Sequence, residues 1–383
     1  DKADSGAEKA VVTYRAAPGE TPIFTGAREL KGFKRVRDKA LLARLPPEAR
    51  GRIMQVNLAE NGITNILPLA PGGFGSGNGF ITHPAMELFF NGRALPPARW
   101  PNSGFVKVEN VSTNELFESH GITGSKAPLI RYAGDRPGRW LAEKDILLYG
   151  YWFWDWADSY ELVTAIDPEN RTISLAPPTH TYGFRKGMRY HALNLFAELD
   201  APGEWYLDRD SGTLFLYPPS DPAKATVEIS AAAFPFVRMD NVSHVTMQSL
   251  TFESGCSDAV IINGGTGCIL AGCVIRNFAG NGVAVNGGEK HGLRSCDIYS
   301  MGRGGIVMNG GNRKTLAPGG HFVENCHIHD LSRIDHTYTP AVILGGVGNR
   351  VSHNLFHDIP SSAMRLGGND DLFGDRAGIP SQI

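Results

Sequence analysis

Acid and imidazole side chains crowd into one short stretch of the chain, between His327 and Asp371. It holds Asp330, Asp335, Asp358, Asp370 and Asp371, with His327, His329, His336 and His357 among them, and Tyr338 and Arg365 close in sequence. Carboxylates held a few ångströms apart raise one another's pKa, so a general acid and a nucleophile or base can be made from one residue type. Glycosidases use such pairs: a gap of about 5 Å suits retention and roughly 6.5–9.5 Å suits inversion. We expect catalysis from the five aspartates, with acid and base roles unassigned. His336, His357, Arg365 and Tyr338 are expected to contact substrate. A plainer role is open to Asp330 and Asp358, since an aspartate at a turn often only caps backbone N–H groups.

His327-Ile328-His329 puts two imidazoles on one face of an extended segment, and Asp335-His336 follows, so a metal site is conceivable. The several carboxylates within one loop that calcium needs are not obvious here, and no metal and no cofactor are expected. There is no nucleophile elbow, phosphate loop, zinc-protease motif or dinucleotide fingerprint. The five cysteines form no CxxC pair, which argues against a usual zinc site and a disulfide framework.

A repeat must position these groups. Asn263-Gly264-Gly265, Asn286-Gly287-Gly288 and Asn309-Gly310-Gly311 recur at 23-residue steps, and Gly345-Gly346 and Gly367-Gly368 continue the series. Cys273, Cys296 and Cys326 each precede an isoleucine by two residues, at Ile275, Ile298 and Ile328. Short β-branched pieces bounded by Gly and Asn lie between the markers and read as strands. Three short strands and three turns in about 23 residues make one coil of a right-handed parallel β-helix, each coil stacked on the next. The fold class is therefore all-β: a β-helix with an inserted antiparallel β-rich domain. Alternation sends Val260 and Ile262, Val283 and Val285, Ile306 and Met308, Val342 and Leu344, and Met364 and Leu366 inward, with the three cysteines in a buried stack. It also leaves Ile261, Ala284, Val307 and Ile343 as an outward apolar stripe that something should cover. From Cys326 the coil is lengthened, with the extra residues in Asp330 to Pro340.

Periodicity is lost from about residue 28 to 235. Met86 to Phe90 followed by Asn91-Gly92-Arg93 reads as a hairpin, as do Glu204 to Asp208 and Thr213 to Tyr217 across Arg209 to Gly212. The expected organisation is strands of the first coils in residues 1–27, the insertion in 28–235, coils in 236–371 and an irregular tail in 372–383. Tyr151 to Trp156 would place Trp152, Trp154 and Trp156 on one face of a strand. There Trp154 and Trp156 could stack on sugar rings, or all three could fill a seam. Asp155 and Asp158, among these rings, would be candidates for raised pKa values.

Glycine contributes 46 of 383 residues, well above a usual share of about 7%, and marks a turn-rich chain. Lys and Arg number 37 against 39 Asp and Glu, a net charge of −2, which argues against nucleic acid as a partner. No apolar run reaches the roughly 18 residues of a membrane helix. Oligomeric state is not legible.

In these residues the sequence resembles the bacterial right-handed parallel β-helix repeat proteins that include glycoside hydrolase family 141. The resemblance rests on Ala17-Pro18-Gly19-Glu20, Asn91-Gly92 with Ala98-Arg99-Trp100-Pro101-Asn102, Tyr149 to Tyr160, Glu204 to Pro219, and His327 to Asn369, nearly the whole chain. It implies a secreted or periplasmic carbohydrate-active protein, a glycoside hydrolase acting on a polysaccharide. Family members continue past the Gly-Asn-Asp segment with further coils, and this chain resembles one shortened at both ends. A polysaccharide lyase, needing a Lys or Arg base, and a non-catalytic glycan-binding or structural β-helix are the alternatives.

Overall fold

The computed structural model describes residues 1–70, 72–77 and 85–367. The chain forms two compact units, one of residues 1–27 with 232–383 and the other of residues 28–231.

The first unit is a parallel β-helix with three sheets. One stacks Val12–Arg15, Val245–Gln248, Ile269–Ala271, Gly292–Arg294, Phe322–Glu324 and Arg350–Ser352. The second stacks Ile23–Thr25, Thr251–Glu253, Val274–Arg276, Asp297–Tyr299, His327–His329 and Leu355–His357. The third stacks Val237–Asp240, Val260–Asn263, Val283–Asn286, Ile306–Asn312, Val342–Gly346 and Met364–Leu366. Neighbours along these three sheets are parallel and in register, for example Ile275↔Ile298 and Ile298↔Ile328.

The inward residues behave as alternation requires. Val260, Ile262, Val283, Val285, Ile306, Met308 and Val342 are buried in one core with Cys273, Cys296 and Cys326. Leu344 and Met364 are only partly covered and Leu366 is 43% exposed, so coverage thins toward the last described coil. The outward stripe is not left in water: Ala284 is buried, and Ile261, Val307 and Ile343 are half-buried. The first two Asn-Gly-Gly turns are left-handed at both glycines, with φ of 60° and 78° at Gly264 and Gly265, whereas in the third, part of the strand Ile306–Asn312, only Gly311 has positive φ. A Cβ at Gly265 would lie 1.9 Å from the Val242 carbonyl oxygen, so glycine is required there.

Side chains at the turns tie each coil to the next. The backbone N–H of Cys268 donates to His291 Nδ1, that of His291 to His321 Nδ1, and that of His321 to Asn349 Oδ1. These bonds span 23, 30 and 28 residues, so the later coils are longer than the sequence beat. One enlargement is the expected loop after His329. The other is an antiparallel excursion in which Gly311 and Asn312 pair with Pro318 and Ala317.

The second unit is antiparallel. Its largest sheet runs Asn110–Val111, Leu129–Arg131, Thr172–Leu175, Asp158–Asp167, Leu147–Tyr151, Arg189–Leu193 and Arg99–Trp100. Both expected hairpins form, Leu88–Phe90 with Arg93–Leu95 and Trp205–Asp208 with Thr213–Leu216. Asn91 and Gly92 both take positive φ, as a two-residue hairpin turn demands.

Candidate functional site

Each strand of the second sheet is three residues long, so only its middle residue points inward. Phe252, Ile275, Ile298 and Ile328 fill that column and are buried. The flanking positions face outward in two registered ladders. One is Glu253, Arg276, Tyr299, His329, His357; the other is Thr251, Val274, Asp297, His327, Leu355.

The first ladder is continuous. Arg276 donates to Glu253 Oε2 through Nε at 2.8 Å and Nη2 at 2.6 Å, and to the Tyr299 hydroxyl through Nη1 at 2.8 Å. The Tyr299 ring lies 5.0 Å from that of His329 at an interplanar angle of 8°, and His329 lies 4.8 Å from His357 at 14°. His327, beside them, has its ring 4.0 Å from His329 and 4.9 Å from His357.

Carboxylates surround these rings. Asp330 accepts from His329 Nδ1 at 2.6 Å and Asp358 from His357 Nδ1 at 2.7 Å. Asp297 Oδ1 lies 3.3 Å from His329 Nε2 and 3.4 Å from His327 Nδ1. His327 Nε2 and His357 Nε2 are 2.7 Å apart. One nitrogen from each of the three imidazoles falls within 4.8 Å of the others. Asp330 and Asp358 both occupy a left-handed bend directly after their strands, with φ of 50° and 52°, a column that Ser254, Asn277 and Ser300 fill in earlier coils. Asp, Asn and Ser tolerate that backbone, so the turn explains a short polar residue there. It does not explain a carboxylate hydrogen-bonded to the preceding histidine twice in succession.

The other expected site residues divide. Asp335 is buried and ion-paired at 2.9 Å with Arg303, itself buried, and the Thr339 hydroxyl donates to the Asp335 carbonyl oxygen. These contacts anchor the enlarged loop. Tyr338 and His336 are half-buried, and the Arg365 guanidinium lies 4.7 Å over the Tyr338 ring. Asp370, Asp371 and the tail 372–383 lie outside the described residues. Glu253, Arg276, Asp297 and Tyr299 join the face although sequence reading did not single them out.

In the second unit the strand ends at Tyr151, so the three tryptophans do not share one face. Trp152 turns into the core, stacks on Tyr190 and donates its indole N–H to the Ser159 carbonyl oxygen. Trp154 and Trp156 stack at 6.2 Å and 8°, and Trp156 is 42% exposed. Asp155 is exposed and paired with Arg189; Asp158 is buried and accepts from the Tyr149 hydroxyl at 2.8 Å. Beneath this surface Ser159 donates to Glu161 and contacts His180 Nδ1 at 3.0 Å. Burial pushes Glu161 up to about 8 and His180 down to about 3. A cavity of about 400 Å³ elsewhere in this unit is lined by Arg44, Lys144, Tyr206 and Asp208 among others, but Arg44 is paired with Glu143 and Lys144 with Asp210.

Residues 236–318 match the family described as a right handed beta helix region. A solved structure described as a glycoside hydrolase is similar over 94% of this chain and 86% of its own, at a TM-score of 0.53 and 12% sequence identity. A complex of XylC with xylose is similar over 94% of this chain and 56% of its own, at a TM-score of 0.44 and 13% identity. No curated protein matches the chain in sequence. The chain contains a right-handed parallel β-helix and is all-β apart from one short α-helix and a few 3-10 turns among the described residues.

Proposed function

We propose that this chain is a carbohydrate-active protein, a glycoside hydrolase that cleaves a polysaccharide on the outward face of the second sheet, with Asp330 and Asp358 as its paired carboxylates. The observation that carries the reading is their equivalence. They hold the same turn position in consecutive coils, and each is hydrogen-bonded to Nδ1 of its own preceding histidine. In-register strands place such positions about 4.8 Å apart. That spacing suits the retaining arrangement, in which one carboxyl protonates the departing glycosidic oxygen while the other bonds to the anomeric carbon. Water then breaks the glycosyl ester, and the first group takes the water's proton.

Other features support the reading without assigning a sugar. The fold is that of a structure described as a glycoside hydrolase. Tyr299, the histidines and Arg276 offer flat and hydrogen-bonding surfaces along the same face. In the second unit the stacked Trp154 and Trp156, of which Trp156 is exposed, form a platform of the kind sugar rings pack on. Elimination is less well served, because Arg276 is committed to Glu253 and Tyr299.

The test is product analysis across a panel of polysaccharides. New reducing ends with water added are expected on at least one. An unsaturated, ultraviolet-absorbing product would make the protein a lyase, and retention on a glycan without cleavage would make it a binder; either result overturns the hydrolase reading.

A further inference from the structure

We propose that His327, His329, His357 and Asp297 form a binding site for one divalent transition-metal ion of the zinc class. The inference does not rest on the glycan reading. It starts from register: His327 and His329 are two residues apart on one strand and so face the same way, His357 lies beside His329 on the next coil, and Asp297 lies beside His327 on the previous one. Three consecutive coils thus deliver three imidazoles and a carboxylate to one spot on the outward face.

The hydrogen-bond inventory of these groups leaves one acceptor facing another, His329 Nε2 against Asp297 Oδ1. A neutral imidazole has a single N–H. His329 and His357 direct theirs from Nδ1 to Asp330 and Asp358, which leaves both Nε2 atoms as lone pairs. One of these lone pairs lies 3.3 Å from Asp297 Oδ1, and the other is turned to His327 Nε2 at 2.7 Å. A cation held by the three imidazoles takes the Nε2 lone pairs of His329 and His357 together and relieves the contact of His329 with Asp297 Oδ1. The same Nδ1 bonds are the outer contacts that metal-ligating histidines generally make: a carboxylate takes the far N–H, fixes the tautomer and orients the ring. Asp330 and Asp358 supply that contact for two of the three rings.

The donor set selects the ion. Three imidazole nitrogens and one carboxylate oxygen match the four-coordinate preference of zinc and suit cobalt or nickel, whereas magnesium and calcium demand oxygen ligands. The five cysteines are all buried, which removes them as competitors in the folded chain.

The full chain, stripped with a chelator, is titrated with Zn²⁺ and separately with Co²⁺. One ion per chain is expected, with a cobalt spectrum of nitrogen and oxygen ligation and no thiolate charge-transfer band. His327→Ala, His357→Ala and Asp297→Ala should abolish stoichiometric uptake. Asp330→Asn and Asp358→Asn, which spare the ligands, should weaken it about 10–100-fold. His353→Ala, an exposed histidine of the last described coil outside the cluster, should bind as the parent does. Absence of stoichiometric uptake, a thiolate band, equal binding by the His327→Ala and His357→Ala variants, or equal loss in His353→Ala would each overturn the proposal. The cobalt spectrum is read on the unsubstituted chain, so it decides the matter even if a variant fails to fold.

Discussion

Asp330 and Asp335 sit in one loop and do opposite things. Asp330 is exposed and hydrogen-bonded to the neighbouring imidazole; Asp335 is closed off from solvent against Arg303. Both were legible as acids in an enlarged coil, but burial was not, because it depends on Arg303, which lies on the preceding coil. Removing one partner of a buried ion pair leaves an uncompensated charge, so Asp335→Asn should cost about 3 kcal/mol or more of stability. Chemical denaturation measures this, and an unchanged midpoint would show that the pair is not holding the loop. Asp297 could have been found from the sequence. It follows Cys296 as His327 follows Cys326, and carrying that column one step further aligns it with the histidine. Nothing in the sequence marks the Arg276 bridge between Glu253 and Tyr299, which needs the actual side-chain geometry.

At the scale of elements, the strands and turns of the β-helix were legible because a short period and Asn-Gly punctuation agree. The segment Tyr151 to Trp156 was not. Alternation was read through a run of rings, but the backbone leaves the sheet after Tyr151, and burial of Trp152 against Tyr190 decides where the next rings go. The following strand, Asp158–Asp167, buries Glu161, a group that pattern reading passed over. Its folded value of about 8 lies above the ordinary 4.5. Stability from the neutral carboxyl is therefore fully present below about pH 4.5 and is lost as pH rises toward 8. His180, depressed to about 3 by burial, acts oppositely: its contribution is present above its ordinary 6.5 and is lost as pH falls. Between pH 5 and about 6.5 the two slopes oppose one another, and from there to pH 8 the unfolding free energy of the parent should fall by about 2 kcal/mol, at about 1.4 kcal/mol per pH unit crossed. Glu161→Gln should flatten that decline. An equal decline in the variant would assign the pH dependence to other groups.

For the molecule as a whole, the repeat was the strongest signal, because stacking identical coils imposes the same residue types at the same step. One enlargement was legible from the long gap after Cys326. The other shows only in the 30-residue step from Cys296 to Cys326, since Asn309-Gly310-Gly311 keeps the beat although Gly311 already pairs with Pro318 in the excursion. The acids and histidines were legible in the sequence, while the grouping that joins them comes from three coils lying in register. We propose this grouping as the working face. Its most direct test is the rate of reducing-end release by Asp358→Asn against the parent, on whichever glycan the parent cleaves. Asp358 is exposed, so the variant should melt within a degree or two of the parent while its rate falls by about 100-fold or more, the scale on which acid–base groups contribute. A variant as fast as the parent would contradict the account and move the chemistry off this face.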